Sequence, residues 1–203
     1  MALFAPEVVR VAQSALPVHI YCGPGTGPIT LPGGQVYLPD QIHQGGTTAA
    51  NAYHPTPAGI YGGEVYGPFQ YTFTGLDPTK TYALTLYFTE DYVRGPGQRV
   101  FEVAANTQSN VVLPNEDIWL DASKLYPGLT DLRGEPVAHE VDVTPNGFGT
   151  LTIYFLRLPT KNNPELDALD LVVKTDAVAA AAGPAQIGPP EPPDQSGAGP
   201  TGP

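Results

Sequence analysis

The chain of 203 residues has one cysteine, one methionine and one tryptophan, and only nine lysines and arginines. A single cysteine, Cys22, excludes a disulfide within the chain. Its place in the apolar run His19-Ile20-Tyr21-Cys22 reads as a buried structural thiol. Nine scattered basic residues against 20 acidic ones leave a formal net charge of −11. That balance argues against nucleic acid and anionic membrane surfaces as partners, since both need clustered Lys and Arg. No apolar run is long enough to span a bilayer. The N-terminus is interrupted by Glu7 and Arg10 and shows no basic region followed by an unbroken apolar one, so no signal peptide is read there. Charged residues are only 14% of the chain, while Gly (23) and Pro (24) are abundant, a balance foreign to helical proteins and common in turn-rich β-proteins.

What is present is alternation. Tyr82–Phe88 and Arg99–Val103 alternate apolar with polar residues and read as two strands. The loop between them holds Glu90, Asp91 and Tyr92, then the breakers Gly95, Pro96 and Gly97. Further strands are expected at Val18–Cys22, Gln35–Leu38, Phe69–Thr74, Asn110–Leu113, Ala138–Val143, Gly149–Leu156 and Leu166–Val173, with Gly/Pro/Asn clusters between them. A helical turn is expected around Ala122-Ser123-Lys124-Leu125. Many short strands at this spacing predict an all-β fold, a jelly-roll-like antiparallel β-sandwich. Its core should take Leu84, Leu86, Phe88, Val100, Ile153 and Phe155, with Tyr87 on the opposite face of its strand. Residues 1–17 read as an N-terminal extension and 18–175 as the domain. Residues 176–203, almost wholly Ala, Pro, Gly, Ser and acidic, read as a disordered tail or linker, which implies attachment to a larger protein.

Chemistry-bearing patterns are sparse. Glycoside hydrolysis needs two carboxylates about 5–5.5 Å or 6.5–9.5 Å apart. Glu140 and Asp142 share a strand face, but such a pair reads as solvated polarity, and no Gly-x-Ser-x-Gly is present. The sequence therefore predicts no enzyme. His19, His43, His54 and His139 are isolated in sequence. Asp117 and Asp121 could lend oxygens to a structural calcium ion, on a spacing too unspecific to support it, and no other cofactor is expected. The distinctive supply is aromatic: 11 Tyr and 7 Phe. Tyr53, Tyr61, Tyr66 and Tyr92 all lie beside Gly or Pro in loop-like sequence. A tyrosine offers a flat apolar body and a hydroxyl tip, which match the ring face and hydroxyls of a sugar.

In their order these segments resemble the malectin and malectin-like domains from Val18 to Lys174. The resemblance is carried by Val18-His19-Ile20-Tyr21-Cys22-Gly23, Tyr37-Leu38-Pro39-Asp40, Ile60–Tyr71 (IYGGEVYGPFQY), Tyr82–Glu90, Gly97–Val103 (GQRVFEV), Asp117-Ile118-Trp119 and Asn163–Leu171 (NPELDALDL). It implies a non-catalytic jelly roll whose loops at one end bind a glucose-type oligosaccharide or polysaccharide. In eukaryotic malectin that ligand is an α-linked diglucose held by aromatics and one aspartate. Tyr66 and Tyr92 stand at family tyrosines, Tyr53 supplies a further aromatic, and Asn162 stands where the family has the aspartate. Val93 replaces a second aromatic. The resemblance also implies an extracellular or cell-surface setting. The rival reading is a protein-interaction module on the same scaffold without a sugar ligand. Convergence of Tyr66, Tyr92 and Asn162 on one open cleft is what distinguishes the first reading from the second.

Overall fold

The computed structural model describes residues 9–10, 16–53 and 59–174. The tail read over 176–203, most of the extension read over 1–17, and His54 lie outside the described residues. In chain order the strands are β1 (Val9–Arg10), β2 (Val18–Tyr21), β3 (Ile29–Thr30), β4 (Val36–Pro39), β5 (Gln44–Ala50), β6 (Gly63–Thr74), β7 (Tyr82–Phe88), β8 (Phe101–Ala105) and β9 (Val111–Glu116). Helix α1 (Ile118–Leu125) follows, then β10 (Val137–Val143), β11 (Thr150–Arg157), β12 (Glu165–Leu166) and β13 (Ala168–Val173). One sheet runs β1-β6-β11-β8-β9, with β5 and β12 also paired to β6; the other runs β10-β7-β13-β2-β4-β3. All pairs are antiparallel except β1–β6 and β2–β4. The predicted sandwich is therefore present. β1 joins the end of β6, so residues 9–10 of the segment read as an extension belong to the sheet.

The period-two pattern decides which side chains meet between the sheets. Leu84, Leu86 and Phe88 from β7 face Phe69, Tyr71 and Phe73 from β6 and Ile153 and Phe155 from β11, all in one buried cluster. The rings of Phe69 and Phe155 stack with centroids 4.2 Å apart. Cys22 is buried and unpaired, 3.2 Å from the Tyr71 hydroxyl. Val100 departs from expectation. The strand begins at Phe101 rather than Arg99, so Phe101 and Val103 take the inward positions and Val100 is only half-buried. Tyr87 does face away from the main core, but that face is not open. A second small cluster of Tyr21, Tyr37, Ile60 and Ala168 covers it, and Asp170 accepts bonds from the Tyr37 and Tyr87 hydroxyls at 2.9 and 2.8 Å.

Helix α1 starts earlier than the predicted turn because Asp117 caps it, accepting the Leu120 N–H at 3.1 Å. Three strands have no counterpart in the sequence reading: the two-residue β1 and β3, and the longer β5, QGGTTAA, which has no apolar alternation. β5 pairs with the first half of β6 across a register shift between Gly45 and Thr47. Pro68 falls into that gap in the ladder, where a missing N–H is tolerated.

Candidate functional site

The first half of β6 builds the floor of a cleft. Val65 points into the core, so Glu64 and Tyr66 point the other way. Strand β12 places Glu165 directly opposite Tyr66, with Leu166 opposite Val65 on the core side. Glu165 therefore joins Glu64 and Tyr66 on the outer face of the sheet.

Two loops form the walls. The loop after β7 is organised by Glu90, which is fully buried although it stands two residues from the exposed Tyr92. Its Oε1 accepts the backbone N–H groups of Tyr92 and Val93 at 2.9 and 2.8 Å. Its two oxygens also receive the Arg99 guanidinium, Nε at 2.7 Å and Nη2 at 3.1 Å. Arg99 Nη1 lies 2.7 Å from Glu165 Oε2 and donates to the Asn163 carbonyl at 2.7 Å. One buried arginine thus ties the Tyr92 loop, the floor and the loop after β11 together. Lys161 donates to the Gly97 carbonyl and the Asn162 N–H donates to the Gln98 carbonyl, which stitches the two loops further, and Asp117 Oδ2 at the start of α1 accepts the Gly97 N–H. With its backbone fixed in this way, Tyr92 stands 73% exposed.

The cleft has a volume of about 460 Å³, and Glu64, Tyr66, Asp91, Tyr92, Arg99 and Asn162 are among the residues lining it. A second, more open depression of about 760 Å³ shares Tyr92 and Asn162 and adds Gln98 and Lys161. Tyr66, Tyr92 and Asn162 are therefore brought together. Tyr53 is not among the residues lining either depression; it is exposed, and the Arg133 guanidinium lies 4.5 Å from its ring centroid. Val93 is buried, so it offers no ring-sized platform beside Tyr92. Asp117 is occupied as helix cap and loop anchor, and Asp121 pairs with Lys124 and His139, so the two do not share one site. Glu140 and Asp142 are exposed on β10, and Lys174 pairs with Asp142.

The sequence reading missed the charge on the cleft floor. One carboxylate oxygen each from Glu64, Asp91 and Glu165 lies within 4.8 Å of the others. Burial pushes the Glu64 carboxyl up, and pushes Glu165 well up against the opposing pull of Arg99. Asp91 is raised in the same way, by burial against Arg99. Burial works against the Arg99 charge, yet Glu165 and Glu90 outweigh it and hold its pKa above the usual value. The signal available in the sequence was placement: Glu64 and Glu165 are acids inside otherwise apolar, strand-like runs, which implies burial with a partner.

Glu64 is 6% exposed and its Oε2 has no hydrogen-bond partner. An acid with a raised folded-state pKa stabilises the fold below its unfolded value, and this contribution is lost as pH rises through the folded value. Glu64→Gln keeps the shape and supplies a donor toward Glu165. It is expected to stabilise the domain by about 1 kcal/mol at pH 8, with the gain shrinking toward pH 4.5. Melting curves of both proteins at the two pH values check this; a variant less stable at pH 8 would contradict it.

The model of the malectin domain matches residues 18–129, more than half of the chain. The chain belongs to the malectin domain family. No curated protein sequence matches it. Among solved structures, the plant receptor-like kinase FER superposes with a TM-score of 0.63 at 19% identity, covering 79% of this chain and 42% of that one. The ANXUR1 extracellular domain from Arabidopsis thaliana gives 0.59 at 19% identity, covering 78% and 48%. A calcium-binding mutant of Bacteroides uniformis beta-glucuronidase 2 gives 0.58 at 14% identity, covering 83% of this chain and 19% of that one. The malectin domain here thus spans less than half the length of these structures, and at such identities the likeness is one of fold. Within the malectin fold, no helix among the described residues is long and apolar enough to cross a membrane.

Proposed function

We propose that this malectin domain is a non-catalytic carbohydrate-binding module, and that the cleft between the Tyr92 loop and β6 takes a glucose-type oligosaccharide or the end of a glucan. The observation that carries the reading is the meeting of Tyr66, Tyr92 and Asn162 in one open cleft of about 460 Å³. That volume is in the range of roughly 300–1,000 Å³ usual for small-ligand sites. The exposed Tyr92 ring stacks on a pyranose face, and Tyr66 flanks it from the floor. The Asn162 amide and the Asp91 carboxylate hydrogen-bond to ring hydroxyls. The adjoining depression gives room for a second sugar on the other side of Tyr92. Tyr53 contributes only to a longer ligand that reaches past the cleft. Catalysis is disfavoured because Glu64, Asp91 and Glu165 crowd together beside Arg99 instead of flanking a bond with an acid on one side and a base on the other. An extracellular or cell-surface setting, within a longer protein, suits a module of this kind.

Asn162→Asp tests the reading at the family's own position. A charged acceptor strengthens a hydroxyl bond by about 1 kcal/mol, so binding of gluco-oligosaccharides is expected to tighten about fivefold in titration calorimetry. Unchanged binding in Asn162→Asp would remove Asn162 from the site, and weaker binding would contradict its role as an acceptor for ring hydroxyls. Absence of glucan binding in both proteins would favour the second reading, an interaction module for protein or peptide. That reading has its own support: one structure of this fold is the plant peptide RALF23 in complex with FER and LLG2.

A further inference from the structure

We propose that Glu116, Asp121 and His139 form a binding site for a divalent transition-metal ion of the zinc class, stapling the two sheets at one edge. Glu116 ends β9, the last strand of one sheet; His139 lies on β10, the first strand of the other; Asp121 comes from α1, which follows β9. Nε2 of His139 lies 3.1 Å from Glu116 Oε2 and 3.2 Å from Asp121 Oδ2. Ligands held about 2.0–2.2 Å from one ion stand about 3.0–3.5 Å apart at octahedral to tetrahedral angles, so these spacings suit a shared ion.

Two further observations separate this cluster from an ordinary ion pair. Nε2 of His139 is buried with both oxygens within reach, yet neither lies in line with the ring N–H. An imidazolium held by its carboxylates would aim its N–H at one of them. Glu116 is 2% exposed, and its Oε1 has no hydrogen-bond partner. A buried carboxylate left in this way is costly unless a cation sits beside it. Among the described residues, the lysine of the neighbourhood is Lys124, which pairs with Asp121 Oδ1 from the exposed side of α1.

The donor set decides the ion. One imidazole nitrogen and two carboxylates fit zinc and its neighbours, whereas calcium prefers six to eight oxygens. His139 and Asp121 are half-buried, so water can complete the coordination. The other acidic cluster, Glu64, Asp91 and Glu165, is no rival, because Arg99 already supplies its cation. The metal site is independent of the sugar reading.

The test uses the full chain, stripped with EDTA, exchanged into clean buffer and titrated with zinc chloride by calorimetry and by thermal melting. The expected result is uptake of about one zinc ion per chain, with a melting temperature raised by about 5 °C or more at a hundredfold excess over Kd. Calcium and magnesium chloride are expected to leave the melting temperature unchanged. His139→Ala and Asp121→Asn should each weaken zinc binding beyond the roughly 10–100-fold typical of outer-shell changes. Asp121→Asn, on the surface of a helix, keeps the test decisive if His139→Ala does not fold. Zinc uptake unchanged in Asp121→Asn, no uptake by the parent chain, or equal stabilisation by calcium would overturn the proposal.

Discussion

Replacing Arg99 with methionine is expected to cost the domain about 3–5 kcal/mol of stability. Arg99 is nearly fully buried, and it is bonded to both oxygens of Glu90 and to Glu165, which are buried as well. Methionine fills a similar volume but leaves two buried carboxylates without a cation, and the penalty is the desolvation of those charges rather than the loss of one bond. The urea midpoint should fall by at least about 1 M. Arg99→Lys should recover only part of the loss, because an ammonium cannot span Glu90 and Glu165 with a planar fork. Arg94→Met, at an exposed position of the same loop, is the control and should change stability by less than about 0.5 kcal/mol. A loss under about 1 kcal/mol in Arg99→Met would mean that Glu90 and Glu165 are neutral in the fold, and the loop would then owe its shape to backbone bonds alone.

Removing the cleft's rings should abolish measurable sugar binding while sparing the fold. Stacking is worth about 1 kcal/mol beyond burial, and lost burial adds to it, so Tyr92→Ala should weaken binding about tenfold or more. Tyr66→Ala on the floor should do the same, and the double variant should lose about a hundredfold if the two rings act on separate sugar faces. Tyr92 makes few contacts to lose, being 73% exposed, so Tyr92→Ala should melt within a degree or two of the parent. Equal affinity in the double variant would show that the tyrosines only brace the loops.

The sheets were legible where strict apolar alternation meets the core; the first half of β6, 63–68, was not read although Val65 is buried, because its glycines and Pro68 break the pattern. Tyr82–Phe88 reads correctly at both ends because its alternation is strict and Leu76-Asp77-Pro78 marks the preceding turn. β5 was not legible: its Gly, Thr and Ala residues carry no apolar period, and its place depends on pairing with β6 across a register shift. The start of β8 shifted by two residues because Arg99, which alternates like a strand residue, is drawn out of the ladder toward Glu90 and Glu165.

The site divides in the same way. Tyr66, Tyr92 and Asn162 were found through resemblance to malectin, not through periodicity. Glu64, Arg99 and Glu165 stand far apart in the chain and meet only once β12 pairs with β6, a two-residue strand too short to show a pattern. The inward turn of Glu90 was not legible, for a local reason. Beside Asp91 and Tyr92 it looks like loop polarity, but it turns inward to hold the Tyr92 and Val93 N–H groups.

Sugar binding by this malectin domain in the cleft between the Tyr92 loop and β6 should be visible residue by residue in solution. A titration of the ¹⁵N-labelled chain with short gluco-oligosaccharides, followed by amide chemical shifts, tests it most directly. Saturable shifts are expected at Glu64, Tyr66, Asp91, Tyr92, Asn162 and Asn163, with Kd at or below the millimolar range, equivalent to about −4 kcal/mol. Shifts confined to other surfaces, or none with ligand at about ten times that concentration, would contradict it.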